Sequence, residues 1–355
     1  MIMKNKILLY IVIVLLAMIT LSCMEDLNQT TEVGFNSSAD LLTYFETHGD
    51  FINSSENPAI ISSEELYGII DQSLLLDIRS SSEFVSGHIS GAINLEINEL
   101  VDTLLNRDLN KFMKIVVISK TGQKAAYAVS LLRLYGVTNI YSLDYGMGQW
   151  NEMFSDVWIN ARNDSEFAWS FKSDYYSKRK LENKLPSLSI GEAGSSIEQV
   201  IKSRIRSFLT DAAFNRSIGT VAELDADFQL RYQKFASIYL LCYSAPDLYE
   251  IYRFFKEVQP PVTWGGHFRS IPYYDPLVDF KASTNLLTLP VNKPIYIYSY
   301  NGQRSQFITA YLRLLGYDAR SVLYGAISML YYRLDYQRFD KSFKEENILN
   351  YPIVN

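Results

Sequence analysis

Two short stretches of this chain gather groups that could hold a small anion. In the first, Ser119-Lys120-Thr121-Gly122-Gln123-Lys124 follows an apolar, β-branched run, Ile115-Val116-Val117-Ile118. Beyond it Ala128, Leu131, Leu132 and Tyr135 recur at helical spacing, closed by Gly136. A strand, a tight glycine-bearing loop and a helix, in that order, aim the loop's N–H groups and the helix N-terminus at one point. In the second stretch, Ser299-Tyr300-Asn301-Gly302-Gln303-Arg304-Ser305 follows Ile295-Tyr296-Ile297-Tyr298 and precedes a helical pattern with Ala310, Leu312, Leu314 and Leu315, closed by Gly316. Setting Gly122 on Gly302 gives an offset of 180 residues and lays Leu132-Arg133-Leu134 on Leu312-Arg313-Leu314. The chain carries an internal repeat, with one such loop in each copy.

Little else in the sequence could do chemistry. The hydroxyls of Ser119 and Ser299 become nucleophiles only beside a base, and no neighbouring motif supplies one. The two cysteines, Cys23 and Cys242, and the three histidines, His48, His88 and His267, are too sparse for a zinc cluster. No metal and no cofactor is expected. Cys242 falls in an apolar run, where a cysteine behaves as a small hydrophobe. A net charge of −6 and an isoelectric point near 5.3 argue against a nucleic-acid partner held by a basic surface.

The elements that must position these loops follow from the apolar pattern. In the first copy, residues 74–78, 92–95, 115–118 and 139–143 read as strands, and 81–84 and 99–105 as helices. Ser62 or Ser63, followed by Glu64 and Glu65, reads as a further helix start. The second copy opens with an amphipathic helix over 197–209, followed by strands over 237–243 and 321–323 and a short helix over 246–249. Strands alternating with helices predict βαβ units, an α/β class with a mainly parallel sheet covered on both faces. The 355 residues suit two domains.

Several blocks of the first copy, read together, resemble the rhodanese (sulfurtransferase) family. They are Leu75-Leu76-Asp77-Ile78-Arg79-Ser80, Glu83-Phe84, Gly87-His88-Ile89-Ser90-Gly91-Ala92-Ile93-Asn94, and the stretch from Gly146 to Trp150. The resemblance implies two rhodanese-like three-layer α/β/α domains, each with a mainly parallel central sheet. It also implies that Asp77 and Arg79 form a structural ion pair. His88, and His267 in the matching Gly266-His267-Phe268 of the second copy, are then hydrogen-bonding residues of a turn. The second copy departs from the pattern: Cys242-Tyr243-Ser244 stands where Asp77-Ile78-Arg79 stood, and an insertion containing Pro260-Pro261 lengthens the path to His267.

The family's reaction passes a sulfane sulfur through a cysteine persulfide, and where the family carries that cysteine this chain has Ser119 and Ser299. A hydroxyl forms no persulfide. The resemblance therefore implies a non-catalytic binding or scaffold protein. Its loops would be remnant anion sites: Ser119, Lys120, Thr121, Gly122, Gln123 and Lys124, and Ser299, Tyr300, Asn301, Gly302, Gln303, Arg304 and Ser305. The alternative is a thiosulfate sulfurtransferase, or another group-transfer enzyme, of residual or altered activity.

Residues 1–23 read as a targeting segment: Lys4 and Lys6, then 13 apolar residues from Ile7 to Ile19, then Thr20-Leu21-Ser22 before Cys23. The run is shorter than the ~20 residues that span a bilayer. The end resembles a bacterial lipobox, although Thr20 occupies a position that the pattern gives to leucine. Lipid on Cys23 would tether the protein to a membrane of the bacterial cell envelope, on the outer membrane or the surface. The expected layout is a tether over 24–39, a first domain over 40–159, a linker over 160–196, a second domain over 197–340 and a C-terminal tail over 341–355. Lys178-Arg179-Lys180 in the linker reads as a solvated face. The expected partners are the membrane and a small oxyanion or a protein.

Overall fold

The structure is a computed structural model and describes residues 37–165, 178–179, 181, 184–188, 195–229, 237–245, 271–336 and 343–355. Cys23, His267, Pro260-Pro261, Lys180 and the expected helix over 246–249 lie outside the described residues.

Two five-stranded sheets share one topology. The first half contributes β1 (Ile60–Ile61), β2 (Ser73–Asp77), β3 (Ile93–Asn94), β4 (Lys114–Ile118) and β5 (Ile140–Leu143), in the order β1-β5-β4-β2-β3. The second contributes β6 (Ile218–Gly219), β7 (Tyr239–Tyr243), β8 (Tyr273–Tyr274), β9 (Ile295–Tyr298) and β10 (Ala319–Val322), in the order β6-β10-β9-β7-β8. Every pairing is parallel. Central strands of such a sheet are covered on both faces and so read as unbroken apolar runs. Ile115, Val116, Val117 and Ile118 are all fully buried. The α/β class and the two mainly parallel sheets agree with the expectation. The two-residue edge strands β1, β6 and β8 are too short to leave a period in the sequence.

The halves are joined through one core. On one side of both sheets a single apolar cluster runs from Leu76, Val117 and Leu131 to Ile297, Phe307 and Leu312. On their opposite faces the sheets have separate cores, around Trp150 in the first half and Leu240 in the second. At the centre of the shared core the Gln123–Tyr135 helix packs on the Gln303–Leu314 helix, and Ser130 Oγ donates to the Phe307 carbonyl at 2.8 Å.

The described end segments, 37–57 and 343–355, are exchanged between the halves. The Ser38–Thr47 helix, capped by Ser37, lies on the second half with Phe45 edge-on to Tyr311. Further along, Asn57 Nδ2 donates to the Tyr243 hydroxyl at 2.9 Å, and Lys281 pairs with Asp50 at 2.9 Å. In return, the last residues cross to the first half. His88 and Val354 exchange backbone hydrogen bonds of 2.8 and 2.9 Å, Trp150 Nε1 donates to the Pro352 carbonyl at 3.0 Å, and Tyr351 stacks on Tyr67. The segment expected as a tail is a strap on the first half. The described start of the expected linker is docked too: Asn163 and Ser165 donate backbone N–H bonds to Ile327 and Met329. Lys178, expected on a solvated face, pairs with the buried Asp279 at 2.9 Å and lies over the Tyr273 ring.

Candidate functional site

The first loop begins where β4 runs out. Ser119 is only 3% exposed. Gly122 reverses the chain at φ +81° and opens the Gln123–Tyr135 helix. The turn is closed from behind, where Met147 and Gly148 donate backbone N–H bonds to the Ser119 and Lys120 carbonyls at 3.0 and 3.2 Å. That approach requires glycine at 146: a Cβ there would clash with the Ser119 carbonyl and stand 2.6 Å from Gly122 N. Ser119 Oγ accepts the Ala125 N–H at 3.2 Å. Among the described residues, nothing accepts its proton and no base touches it.

A pocket of about 420 Å³ opens in front of this loop, lined by Ser119, Lys120, Thr121 and Lys124 and, from the second half, by Asp211 and Tyr324. Both lysines already have carboxylate partners. Lys120 reaches Glu83 at 3.5 Å, and Lys124 reaches Asp211 at 2.6 Å and the Ile78 carbonyl at 3.1 Å. The Glu83 carboxyl is desolvated, which raises its pKa. The Ser80 hydroxyl and N–H, with Lys120, outweigh that and leave the pKa below its usual value.

Behind the pocket, Arg79 grips Asp77 with both faces of its fork, the shortest contact 2.7 Å, donates to the Gly87 carbonyl at 2.9 Å and lies over Phe154. Both partners are buried and the pair ties the end of β2 to the Gly87 turn. His88 stacks on Phe84, and its Nδ1 lies 3.0 Å from the Phe84 carbonyl. Among the described residues, neither His88 nor the Asp77–Arg79 pair is in contact with the Ser119 hydroxyl.

The second loop has the same backbone and a different filling. Gly302 sits at φ +76°, and Ser299 Oγ accepts the Ser305 N–H at 3.1 Å. The Ser305 hydroxyl lies 3.2 Å from Ser299 Oγ and 2.8 Å from Ser321 Oγ, and both Ser305 and Ser321 bond the Gly302 carbonyl. Asn301 is fully buried; its Oδ1 accepts the Gln303 N–H at 3.0 Å, a shorter form of the bond by which Thr121 Oγ1 accepts the Gln123 N–H at 3.5 Å in the first loop. Tyr300 joins the aromatic cluster of Tyr145, Trp158 and Phe343, and its burial pushes the phenol pKa up. Arg304 hydrogen-bonds the Tyr300 side chain.

Two residues expected in the anion cradles do something else. Gln123 and Gln303 are fully buried and each reaches into the opposite half. Gln123 Nε2 donates to the Gly302 and Val322 carbonyls at 3.2 and 3.3 Å, and its Oε1 accepts the Tyr324 N–H at 2.9 Å. Gln303 Nε2 donates to the Leu143 carbonyl at 2.9 Å and to Ser142 Oγ at 3.1 Å, and its Oε1 accepts the Tyr145 N–H at 3.1 Å. A terminal amide offers both a donor and an acceptor, so each one satisfies buried backbone groups across the interface. The two glutamines form a clasp with approximate two-fold symmetry. Their place beside the loop glycines misled the sequence reading, as did that of Asn301 and Ser305, which face inward to close the second loop.

Cys242 is buried, and burial pushes its thiol pKa up to about 12, so it carries no thiolate near neutral pH. Among the described residues no group of histidines, cysteines and carboxylates could hold a metal. The sequence reading missed Asp211. Its only local signal is the Thr210-Asp211 helix start, with the Thr210 hydroxyl accepting the Ala213 N–H at 3.2 Å; nothing local tells which half it faces.

A rhodanese-like domain model matches residues 62–153. The chain is 33% identical over 78 residues to thiosulfate sulfurtransferase GlpE of Shewanella oneidensis, covering 22% of this chain and 75% of that protein. Against thiosulfate sulfurtransferase GlpE of Pseudomonas savastanoi pv. phaseolicola it is 28% identical over 97 residues, 27% of this chain and 90% of that one. A solved rhodanese-related protein from Thermoplasma volcanium shows 32% identity over 24% of this chain and 84% of its own, with a TM-score of 0.22. The chain belongs to the rhodanese-like family.

Proposed function

We propose that this chain is a non-catalytic tandem rhodanese-like lipoprotein of the bacterial cell envelope, held to a membrane by lipid on Cys23. Its first-half pocket binds a small oxyanion or an acidic group of a protein partner. The second half repeats the fold with its loop filled in, and serves as scaffold and as one wall of the pocket.

One observation carries the reading. The residue in the family's cysteine position is a serine whose oxygen already accepts the Ala125 N–H and, among the described residues, touches no base. Sulfur transfer needs a thiolate that can become a persulfide. An alcohol has a far higher pKa, and its attack on any other group would require a neighbouring proton acceptor. Cys242 cannot substitute, because it is protonated and walled into a core. The loop's N–H groups, the helix start and the two lysines remain, and these suit binding rather than turnover.

The test is a thiosulfate–cyanide assay on the purified full-length protein. No thiocyanate above the uncatalysed rate is expected, and turnover that persists in Cys242→Ala would overturn the reading. Binding has a separate readout: sulfate should raise the Tm in proportion to the logarithm of its concentration above Kd. A mass spectrum of the protein from its native membrane should show lipid on Cys23.

A further inference from the structure

We propose that Asp211 is a built-in competitor for the first pocket, a carboxylate supplied by the second half that sets how tightly an oxyanion can bind there. The inference rests on the binding role proposed above. An anion seated against the loop would draw on Lys124, which sits in the first turn of the loop helix, partly buried and anchored to the Ile78 carbonyl at 3.1 Å. Asp211 already holds that ammonium at 2.6 Å. The other loop cation, Lys120, is shared with Glu83. Three cations, Arg79, Lys120 and Lys124, and three carboxylates, Glu83, Glu96 and Asp211, therefore line a pocket whose backbone is shaped for an anion, and their formal charges cancel.

Asp211 is held in place by contacts on both sides. Before it, the Tyr127 hydroxyl donates to the Phe208 carbonyl at 3.1 Å, and Arg206 pairs with Asp102 of the first half at 2.8 Å. After it, Phe214 meets the Tyr127 ring edge-on at 5.7 Å and lines the same pocket. The chain around Asp211 is thus fastened to the first half at three points, which keeps the carboxylate at the mouth. The pocket is also lined by the buried Ser119, whose hydroxyl oxygen accepts the Ala125 N–H at 3.2 Å and whose proton has no acceptor among the described residues. An oxyanion oxygen is a suitable acceptor.

A bound divalent oxyanion must displace Asp211 from Lys124 and bear its like charge nearby. Neutralising the carboxylate should remove both obstacles. For a pair that is half open to water the effect is about five-fold in affinity.

The experiment titrates the full-length protein with sodium sulfate by calorimetry at constant ionic strength, comparing wild type, Asp211→Asn, Asp211→Ser and the double variant Asp211→Asn/Lys124→Met. The expected result is about five-fold tighter sulfate binding in both single variants, lost again in the double variant. Two variants of different shape guard against a folding artefact, and the Tm of each is measured alongside. Wild-type affinity in folded single variants would overturn the competitor role and leave the binding role standing. Sulfate binding in neither wild type nor single variants would remove both.

Discussion

The two loops of this protein share a backbone and differ in what fills it. Gly122 and Gly302 turn at φ +81° and +76°, and the dipeptides that close the turns, Tyr145-Gly146 and Tyr324-Gly325, match to within about ten degrees in φ, at +53° and +59° against +62° and +56°. In both halves a serine oxygen accepts an N–H from the first turn of the helix that follows, from Ala125 in one and from Ser305 in the other. The loops differ at four positions; at one of them Lys124 stands against Arg304, and the filling differs at the other three. Ala125 becomes Ser305, Thr121 becomes Asn301 and Lys120 becomes Tyr300; in the second half these fill the space with hydroxyls, an amide and a phenol ring. The comparison shows that glycine positions and strand register specify the cradle's shape, while its availability depends on residues that a loop motif does not record. The first loop lines a pocket, whereas the second is packed with Ser305, Asn301 and Tyr300.

The largest expected contrast is covalent. Ser119→Cys places a thiol where the loop's N–H groups and the helix N-terminus favour its thiolate. After incubation with thiosulfate it should gain the mass of one sulfur atom: the thiolate attacks the outer sulfur, a persulfide forms and sulfite leaves with the bonding electron pair. Ser299→Cys, enclosed by Ser305, Asn301 and Tyr300, should stay unmodified under the same conditions. Equal modification of both would show that the second loop opens in solution, and no modification of a folded Ser119→Cys would show that the first pocket does not support a persulfide.

The backbone that the loops share should break alike in both. Gly146→Ala and Gly325→Ala place a methyl against the Ser119 or the Ser299 carbonyl, at a φ that L-residues rarely adopt. Strain and overlap together should cost about 4 kcal/mol in either half, seen as a large drop in the urea midpoint. A strong effect at only one position would mean that the loops are less alike than their dihedral angles.

The clasp comes next in size. Gln123→Leu strands the Tyr324 N–H and two carbonyls, and Gln303→Leu strands the Tyr145 N–H, the Leu143 carbonyl and Ser142 Oγ. Each should cost about 2–4 kcal/mol, since buried groups lose partners without regaining water. Because both glutamines join the halves, the two variants should show equal losses and earlier exposure of the shared core. A loss confined to Gln303→Leu would make the second half the dependent partner.

The fold was legible because parallel strands leave unbroken apolar runs, as at Ile115 to Ile118 and Ile295 to Tyr298, and because the Gly87–Asn94 block and the loop glycines carry a family signature. The gathering of Ser119, Lys120 and Lys124 around one pocket was legible for the same reason. Gln123 and Gln303 were misassigned because a polar residue after a loop glycine looks the same whether it faces a ligand or another half of the chain. Asp211 and the 343–355 strap were invisible because their partners are distant in sequence. Long-range placement of a polar side chain has no local period to betray it.

The smallest effect separates the loops by pH. Glu83 caps its helix by accepting from the Ser80 N–H at 3.2 Å and hydroxyl at 2.9 Å, and it faces Lys120, for which the second loop has Tyr300. Desolvation raises its pKa, but the Ser80 bonds and Lys120 together bring it below the ordinary carboxylate range. With a folded pKa below the unfolded one, the native state binds its proton later than the unfolded chain does. The stabilisation is therefore complete above the unfolded value, near 4.3, and is lost as pH falls through the folded value. Glu83 is partly open to water, so solvent screening keeps the contribution under about 1 kcal/mol. Glu83→Gln should flatten the acid limb of the stability curve and change little at pH 7 beyond that amount. Lys120→Tyr, which gives the first loop the residue of the second, should flatten it in part by removing the cation while keeping the Ser80 bonds. An unchanged acid limb in Glu83→Gln would show that Ser80 and Lys120 do not lower this carboxyl's pKa in solution, and that the charged rim distinguishing the first loop contributes nothing to its stability.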